Sequence, residues 1–286
     1  MMSASLLVGL AACGRIDFNP LVDANADAPD AVTACSPWTN VRPQTATSGG
    51  SDFGPTLSAD TLTLYFDSGR AGGVGNADIW TATRASTSAD FGPAVNLSTV
   101  NTTDFDRSPT LTADGLTLYF QRGETPGRLY RAVRAQPSDP FGPPQLVAEL
   151  AAQELAGPGI SPDGTELVFT ASSNLFRAAG DGTTFGNVTQ ITELDTTPYQ
   201  GFASLSSDGL DIYFETTRSD GALDDIWRGH RAAIGATYDL IERVDEVSES
   251  GTSDDDPAIS VDGETLAFAS NRSGSFEIWL ASRSCQ

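Results

Sequence analysis

The sequence predicts an all-β fold, a five-bladed β-propeller with four antiparallel strands in each blade. Three observations carry that expectation. First, a motif recurs five times: PTLSADTLTLYFDSGR from Pro55, PTLTADGLTLYFQRG from Pro109, PGISPDGTELVFTASS from Pro158, ASLSSDGLDIYFETTR from Ala203 and PAISVDGETLAFASNR from Pro257. Self-similarity at such a period marks propellers and solenoids. Second, the turn aspartates Asp60, Asp114, Asp163, Asp208 and Asp262 fall about 45 to 54 residues apart, which leaves room for four short strands per repeat. Third, the chain stops after the third strand of the fifth copy, EIWLASR, while a strand-like segment with no copy of its own, PWTNVRPQT, precedes the first. An open ring leaves unpaired strand edges, so this N-terminal strand is expected to close the last blade.

Each strand is legible from turn chemistry and alternation. In the second copy PTLT is the inner strand, and ADG makes a tight turn in which glycine accepts positive φ and aspartate bonds its own backbone. LTLYF then alternates as a half-buried strand does. The third strands carry DIW, RLY, NLF, DIW and EIW, whose aromatics Trp80, Tyr130, Phe176, Trp227 and Trp279 are expected to pack between blades. The fourth strands vary most, as PAVNLS, PQLVAEL and VTQITEL. Inner strands read from the motif contribute no acid of their own.

Composition narrows the function classes. The formal charge is -22, from 38 acidic and 16 basic residues, which repels phosphate backbones and anionic membrane surfaces and argues against nucleic acid as a partner. Every basic residue is arginine, a usage attributed to codon bias; it removes Schiff-base and P-loop chemistry. The single histidine, His230, cannot build a zinc site alone and reads as a packed or solvent-facing loop residue. No G-x-S-x-G elbow or glycine-rich phosphate loop occurs. No cofactor or metal is expected.

At the N-terminus a short apolar run, Leu6 to Ala12, ends in LAAC at Cys13. The run is too short to span a bilayer and suits a signal peptide over residues 1–12. It resembles a bacterial lipobox. That resemblance implies cleavage before Cys13, acylation of that cysteine, and an outer-membrane lipoprotein facing the periplasm or the cell surface; two buried chains hold a protein stably on a membrane. A merely hydrophobic N-terminus is the alternative. Residues 13–35, rich in Ala, Asp, Pro and Asn, read as a flexible acidic linker. The propeller then occupies residues 36–286.

The phase of the repeat also places the other two cysteines. In a last blade closed by the N-terminal strand, Cys285 follows the third strand and Cys35 precedes the antiparallel fourth. A disulfide across that seam is expected, with two free thiols as the alternative. An oxidising exported compartment would keep it formed.

The pattern P-x-[LI]-S-x-D-G-x-x-[LI]-x-F, followed by S-x-R and [DE]-I-W, resembles the WD40-like repeat of the TolB propeller family over roughly residues 51–283. The third copy departs most, with ASSNLF and no loop arginine. The resemblance implies an envelope setting and protein binding at a propeller face, and it implies no reaction.

Loops joining strands four to one and two to three should gather on one face. They are read as contributing Asp52, Asp104, Asp106, Asp254, Asp255 and Asp256 from the first set and Arg70, Arg107, Arg218 and Arg272 from the second. Two uses are open for this candidate binding face. The arginines bond aspartates and loop carbonyls of adjacent blades, or a mixed-charge rim captures a peptide, glycan or cation. The run SDDDP offers oxygens to calcium but lacks the D-x-D-x-D-G spacing. The expected function is therefore a non-catalytic protein-binding or scaffold module, monomeric, touching the membrane only through its lipid anchor. Its partner is an envelope protein or a glycan. A carbohydrate-binding or glycoside-hydrolase-like propeller is the alternative, which two carboxylates facing across a deep central pocket would favour.

Overall fold

The computed structural model describes residues 35–47, 50–195, 199–218 and 223–286. The expected signal peptide, Cys13 and the expected linker up to residue 34 lie outside the described residues. Twenty strands form five antiparallel sheets of four. Blade one is β2 (Asp52–Leu57), β3 (Thr63–Ser68), β4 (Asp78–Thr83) and β5 (Val95–Asn96). Blade two is β6 (Asp106–Leu111), β7 (Thr117–Arg122), β8 (Arg128–Val133) and β9 (Gln145–Leu146). Blade three is β10 (Ala156–Ile160), β11 (Glu166–Ala171), β12 (Asn174–Gly180) and β13 (Phe185–Gln190). Blade four is β14 (Gln200–Leu205), β15 (Asp211–Thr216), β16 (Asp225–His230) and β17 (Leu240–Arg243). Blade five joins β18 (Asp254–Ile259), β19 (Thr265–Ser270) and β20 (Glu277–Ser282) to β1 (Thr39–Pro43), the first strand of the chain.

Closure follows the expected register. Strand β1 runs antiparallel to β20, with Thr39 opposite Ser282 and Pro43 opposite Trp279. Cys35 and Cys285 form a disulfide at the seam, and the Ser36 N–H donates to the Ser284 carbonyl at 2.9 Å.

The core confirms a closed circle, because each apolar cluster lies between neighbouring blades. Leu64, Phe66 and Trp80 of blade one pack with Ala267, Ala269 and Ile278 of blade five. The remaining clusters join blades one and two, two and three, three and four, and four and five. Each third-strand aromatic sits in the seam with the preceding blade, Trp80, Tyr130, Phe176, Trp227 and Trp279 in turn. A sheet apolar on both faces must be covered on both, and ring closure does this for every blade.

The turns between first and second strands use one device. Asp60 Oδ1 accepts the Leu62 N–H at 3.0 Å and the Ser58 hydroxyl at 2.6 Å, and Asp114, Asp163, Asp208 and Asp262 repeat the arrangement. These bonds, led by that from Ser58, hold the Asp60 carboxyl below its usual range.

The inner strands differ from the sequence reading in one respect. They begin before the motif, at Asp52, Asp106, Ala156, Gln200 and Asp254, so they do contain acids. Each passes through a bulge at a left-handed residue, Gly54, Ser108, Gly157, Phe202 or Asp256, where the register shifts. A bulge kinks a strand without ending it. Close packing at the axis also fixes Gly159, where a Cβ would lie 1.9 Å from the Ala203 carbonyl oxygen.

Candidate functional site

The charged loops resolve into a structural set and an unspent set. In blade one Arg70 bonds the fully buried Asp52 at 2.8 Å and the Ala46 carbonyl of the preceding blade at 2.9 Å, while its guanidinium covers Phe66 and Trp80. Blade two repeats this with Arg122, which bonds Asp106 at 2.6 Å and the Val100 carbonyl at 2.8 Å over Phe120 and Tyr130. In blade five Arg272 bonds Asp254 and the Val247 carbonyl over Phe268 and Trp279. In blade four Arg218 reaches the Leu194 carbonyl at 2.9 Å over Phe214 and Trp227, and Gln200 takes the place of the acid. Each guanidinium thus clamps its blade to the one before it.

The third blade shows why the two partners go together. It lacks the arginine, since the tight β11–β12 turn holds Ser172 and Ser173, and the acid's place two residues before the bulge is taken by the fully buried Leu155. A buried aspartate without its cation would cost several kcal/mol. Burial still pushes the Asp52 and Asp106 carboxyls up, against the bonds that favour their ionised forms.

Three placements from the sequence are corrected. Arg107 lies on the inner strand β6 rather than on a loop between second and third strands, and the corresponding arginine of that blade is Arg122, the last residue of β7. Asp52, Asp106, Asp254, Asp255 and Asp256 lie within inner strands rather than in the preceding loops, because the bulge lets the strand start earlier. Asp104 is exposed on the loop before β6. His230 lies on β16 rather than in a loop, with Nδ1 2.7 Å from Asp211 Oδ1.

A second ring of polar residues was not singled out in the sequence. At the end of each second strand stand Asp67, Gln121, Thr170, Glu215 and Ala269. Three of them accept the bulge N–H of the next blade. Ser108 donates to Asp67 Oδ1 at 2.9 Å, Phe202 to Thr170 Oγ1 at 3.0 Å and Asp256 to Glu215 Oε2 at 2.7 Å. Blade five offers only Ala269, and there the Gly54 N–H donates to Asp256 Oδ2 at 2.9 Å. The side chain of the bulge residue replaces the missing acceptor.

The central channel is narrow. It is lined by the bulge glycines and prolines with Thr56, Thr110 and Ser204 and has a volume of about 40 Å³, room for no more than a few waters. On the face where the inner strands begin, it meets a cavity of about 620 Å³ over blades one and two, the size of a small-ligand site. Phe53, Asp67, Arg107, Gln121, Phe202 and Asp256 give it its chemistry.

Four of these side chains keep polar capacity unused. Asp67, Gln121 and Asp256 are 4%, 1% and 7% exposed. Among the described residues Asp67 Oδ2, Asp256 Oδ1 and Gln121 Oε1 have no hydrogen-bond partner. Arg107, half-buried, stacks 4.1 Å from the Phe105 ring centroid and makes no hydrogen bond or ion pair among the described residues. Gly54 brings the two carboxylates together, since Asp256 Oδ2 is 2.9 Å from its nitrogen and Asp67 Oδ1 is 2.8 Å from where its Cβ would be. Bond lengths of about 1.5 Å then limit their separation to about 9 Å.

Burial raises these carboxyls. Asp67 is pushed up to about 6, opposed by the Ser108 N–H and by Arg107. Asp256 is pushed up to about 7 by burial and by the charge of Asp67. Behind them Asp255, whose buried Oδ1 has no partner, is raised to about 9 by burial and by Asp256, Asp224 and Asp254. Glu215 is raised by burial and by the same group of acids.

A folded-state pKa above the unfolded value near 3.9 means that stability is full in acid and falls as pH rises through the folded value. For Asp255 that window runs from about pH 4 to about pH 9. Asp255→Asn is therefore expected to stabilise the protein at pH 8 by at least about 1 kcal/mol and to change little at pH 4, as read by denaturant midpoints at the two pH values. An equal effect at both would show that the carboxyl is not held neutral by its surroundings.

Among the described residues no group of three or more His, Cys, Asp or Glu is arranged to hold a metal ion. No protein-family model and no curated protein matches the chain. Solved structures do. TolB from Agrobacterium tumefaciens, described as putative, is 16% identical with a TM-score of 0.51, over 82% of this chain and 80% of that one. The catalytic domain of a GH62 α-L-arabinofuranosidase from Coprinopsis cinerea is 9% identical with a TM-score of 0.56, over 87% and 98%. Glutaminyl cyclase from Myxococcus xanthus is 12% identical with a TM-score of 0.51, over 87% and 96%. At such identities the likeness is one of fold. Because the neighbours divide between TolB and enzymes, the propeller by itself assigns no activity.

Proposed function

We propose that the chain is an exported, lipid-anchored binding module of the cell envelope, non-catalytic, which receives its partner at the cavity face of the propeller. The observation that supports this reading is the division of labour among its polar groups. Arg70, Arg122 and Arg272 are spent on Asp52, Asp106 and Asp254, whereas Arg107 and one oxygen each of Asp67, Gln121 and Asp256 converge unspent on a single cavity. Binding sites are concave, with a few convergent polar groups. The cavity carboxylates also serve as backbone acceptors that tie blades together, a role that suits a fixed binding surface. The seam disulfide and the LAAC sequence at Cys13 favour an oxidising, exported location.

The test is photo-crosslinking in native envelopes from the exposed rim positions Ala71 and Thr125. A discrete adduct is expected from both and from neither Thr87 nor Ser88, which line a groove elsewhere on the molecule. Adducts equal at all four positions would refute the reading.

One observation favours a second reading, hydrolysis of a glycan: Asp67 and Asp256 share a cavity at a separation compatible with a carboxylate pair. Release of reducing sugar from arabinan, abolished in Asp67→Asn, would establish it.

A further inference from the structure

The cavity has a charge pattern more specific than a generic binding face. Arg107 is a cation with no anion bound to it, held in place by its stacking on Phe105. On the same cavity Asp67 and Asp256 each commit one oxygen to a backbone N–H and leave the other open. Gln121 adds an amide oxygen, and Phe53 and Phe202 supply apolar wall. A guanidinium takes a carboxylate in a bidentate pair, and a carboxylate takes an ammonium. Opposite charges fixed on one cavity, not paired with each other, complement a molecule that carries both.

We propose that this cavity takes a small amphoteric ligand of the dipeptide class, its free carboxylate on Arg107, its free ammonium between Asp67 and Asp256, and an apolar side chain against Phe53 and Phe202. The inference rests on the reading of the cavity as the recognition site. A volume of about 620 Å³ accommodates two residues. Binding is bell-shaped in pH. On the acid side the two carboxyls take up protons, set by burial together with Asp52 and Arg107 facing Asp67, and with Asp224, Glu215, Asp255 and Arg107 facing Asp256. On the alkaline side a dipeptide loses its own ammonium proton near pH 8.

The experiment is calorimetric titration of the folded, oxidised protein with three probes: alanyl-phenylalanine, its N-acetyl derivative and its amide. The free dipeptide is expected to bind, and blocking either end to weaken binding at least about tenfold. Arg107→Gln should abolish the discrimination against the amide while keeping that against the acetyl form, and Asp67→Asn should do the reverse. Arg107 bonds nothing else among the described residues, so its variant keeps the test decisive even where Asp67→Asn fails to fold. Equal affinity for the three probes, or no binding of any at millimolar concentration, overturns the inference. Rim-specific crosslinks obtained together with that negative result leave the binding-module reading standing and remove only the ligand class; loss of both removes the site.

Discussion

Replacing Cys35 and Cys285 with serine is expected to lower the unfolding free energy by about 5 kcal/mol, because the bridge closes a loop of 250 residues. The magnitude follows from how much the cross-link restricts the unfolded chain, which grows with the logarithm of loop length. A propeller is exposed to this loss in a particular way. Its last blade takes three strands from one end of the chain and one from the other, so nothing covalent except the disulfide holds β1 on β20. Without it, β1 and the adjoining cluster of Trp38 and Val41 can leave together. Denaturant unfolding of the double serine variant measures the loss, and peptide mapping under non-reducing conditions reports the linkage. A variant as stable as the parent would mean that the seam is held by strand pairing and packing alone.

Arg272→Ala is the second large effect, with an expected destabilisation of about 3 to 5 kcal/mol, the cost of breaking a buried ion pair from one side. Asp254 is fully buried, and Arg272 is the cation that meets it. The same guanidinium bonds the Val247 carbonyl of blade four at 2.5 Å and covers Phe268 and Trp279, so the substitution also removes a clamp between blades and a lid over apolar rings. A double-mutant cycle with Asp254→Asn separates the contributions. The pair variant should lose much less than the sum of the single ones, since the carboxylate that needs neutralising has gone. Strict additivity would show that packing over the rings, rather than charge pairing, is what Arg272 supplies.

Much of this architecture was legible in the residues, and the reasons for what was missed are physical. The number of blades, the closing strand and the interblade aromatics could be read because a repeat multiplies weak signals and because closure leaves one solution for an orphan strand. The inner-strand starts were hidden. Gly54-Pro55 and Ser108-Pro109 look like loop sequence, and at a bulge Gly54 and Ser108, at positive φ, keep the strand going. That displacement moved the acids out of the strands and into the preceding loops. The second-strand polar residues Asp67, Gln121, Thr170 and Glu215, three of them interblade acceptors, had a usable signal, a polar residue directly after the second-strand phenylalanine in four of five copies. The arginine usage read as codon bias also has structural work to do. Arg84, Arg134, Arg231 and Arg283 each bond a carbonyl of their own blade's first turn, at 2.8, 2.6, 2.8 and 2.7 Å. They stack on Phe91, Phe141, Tyr238 and Trp38. A planar guanidinium does both at once, and an ammonium does not.

The central claim is that arginines on one face divide into those that hold the ring and one that waits for a ligand. It is tested most directly by measuring thermal stability and partner crosslinking side by side for Arg107→Ala and Arg272→Ala. The account predicts that Arg107→Ala melts like the parent and loses the rim adduct, whereas Arg272→Ala melts far lower. An Arg107→Ala variant that is crosslinked as efficiently as the parent, or an Arg272→Ala variant that melts with it, would contradict the account.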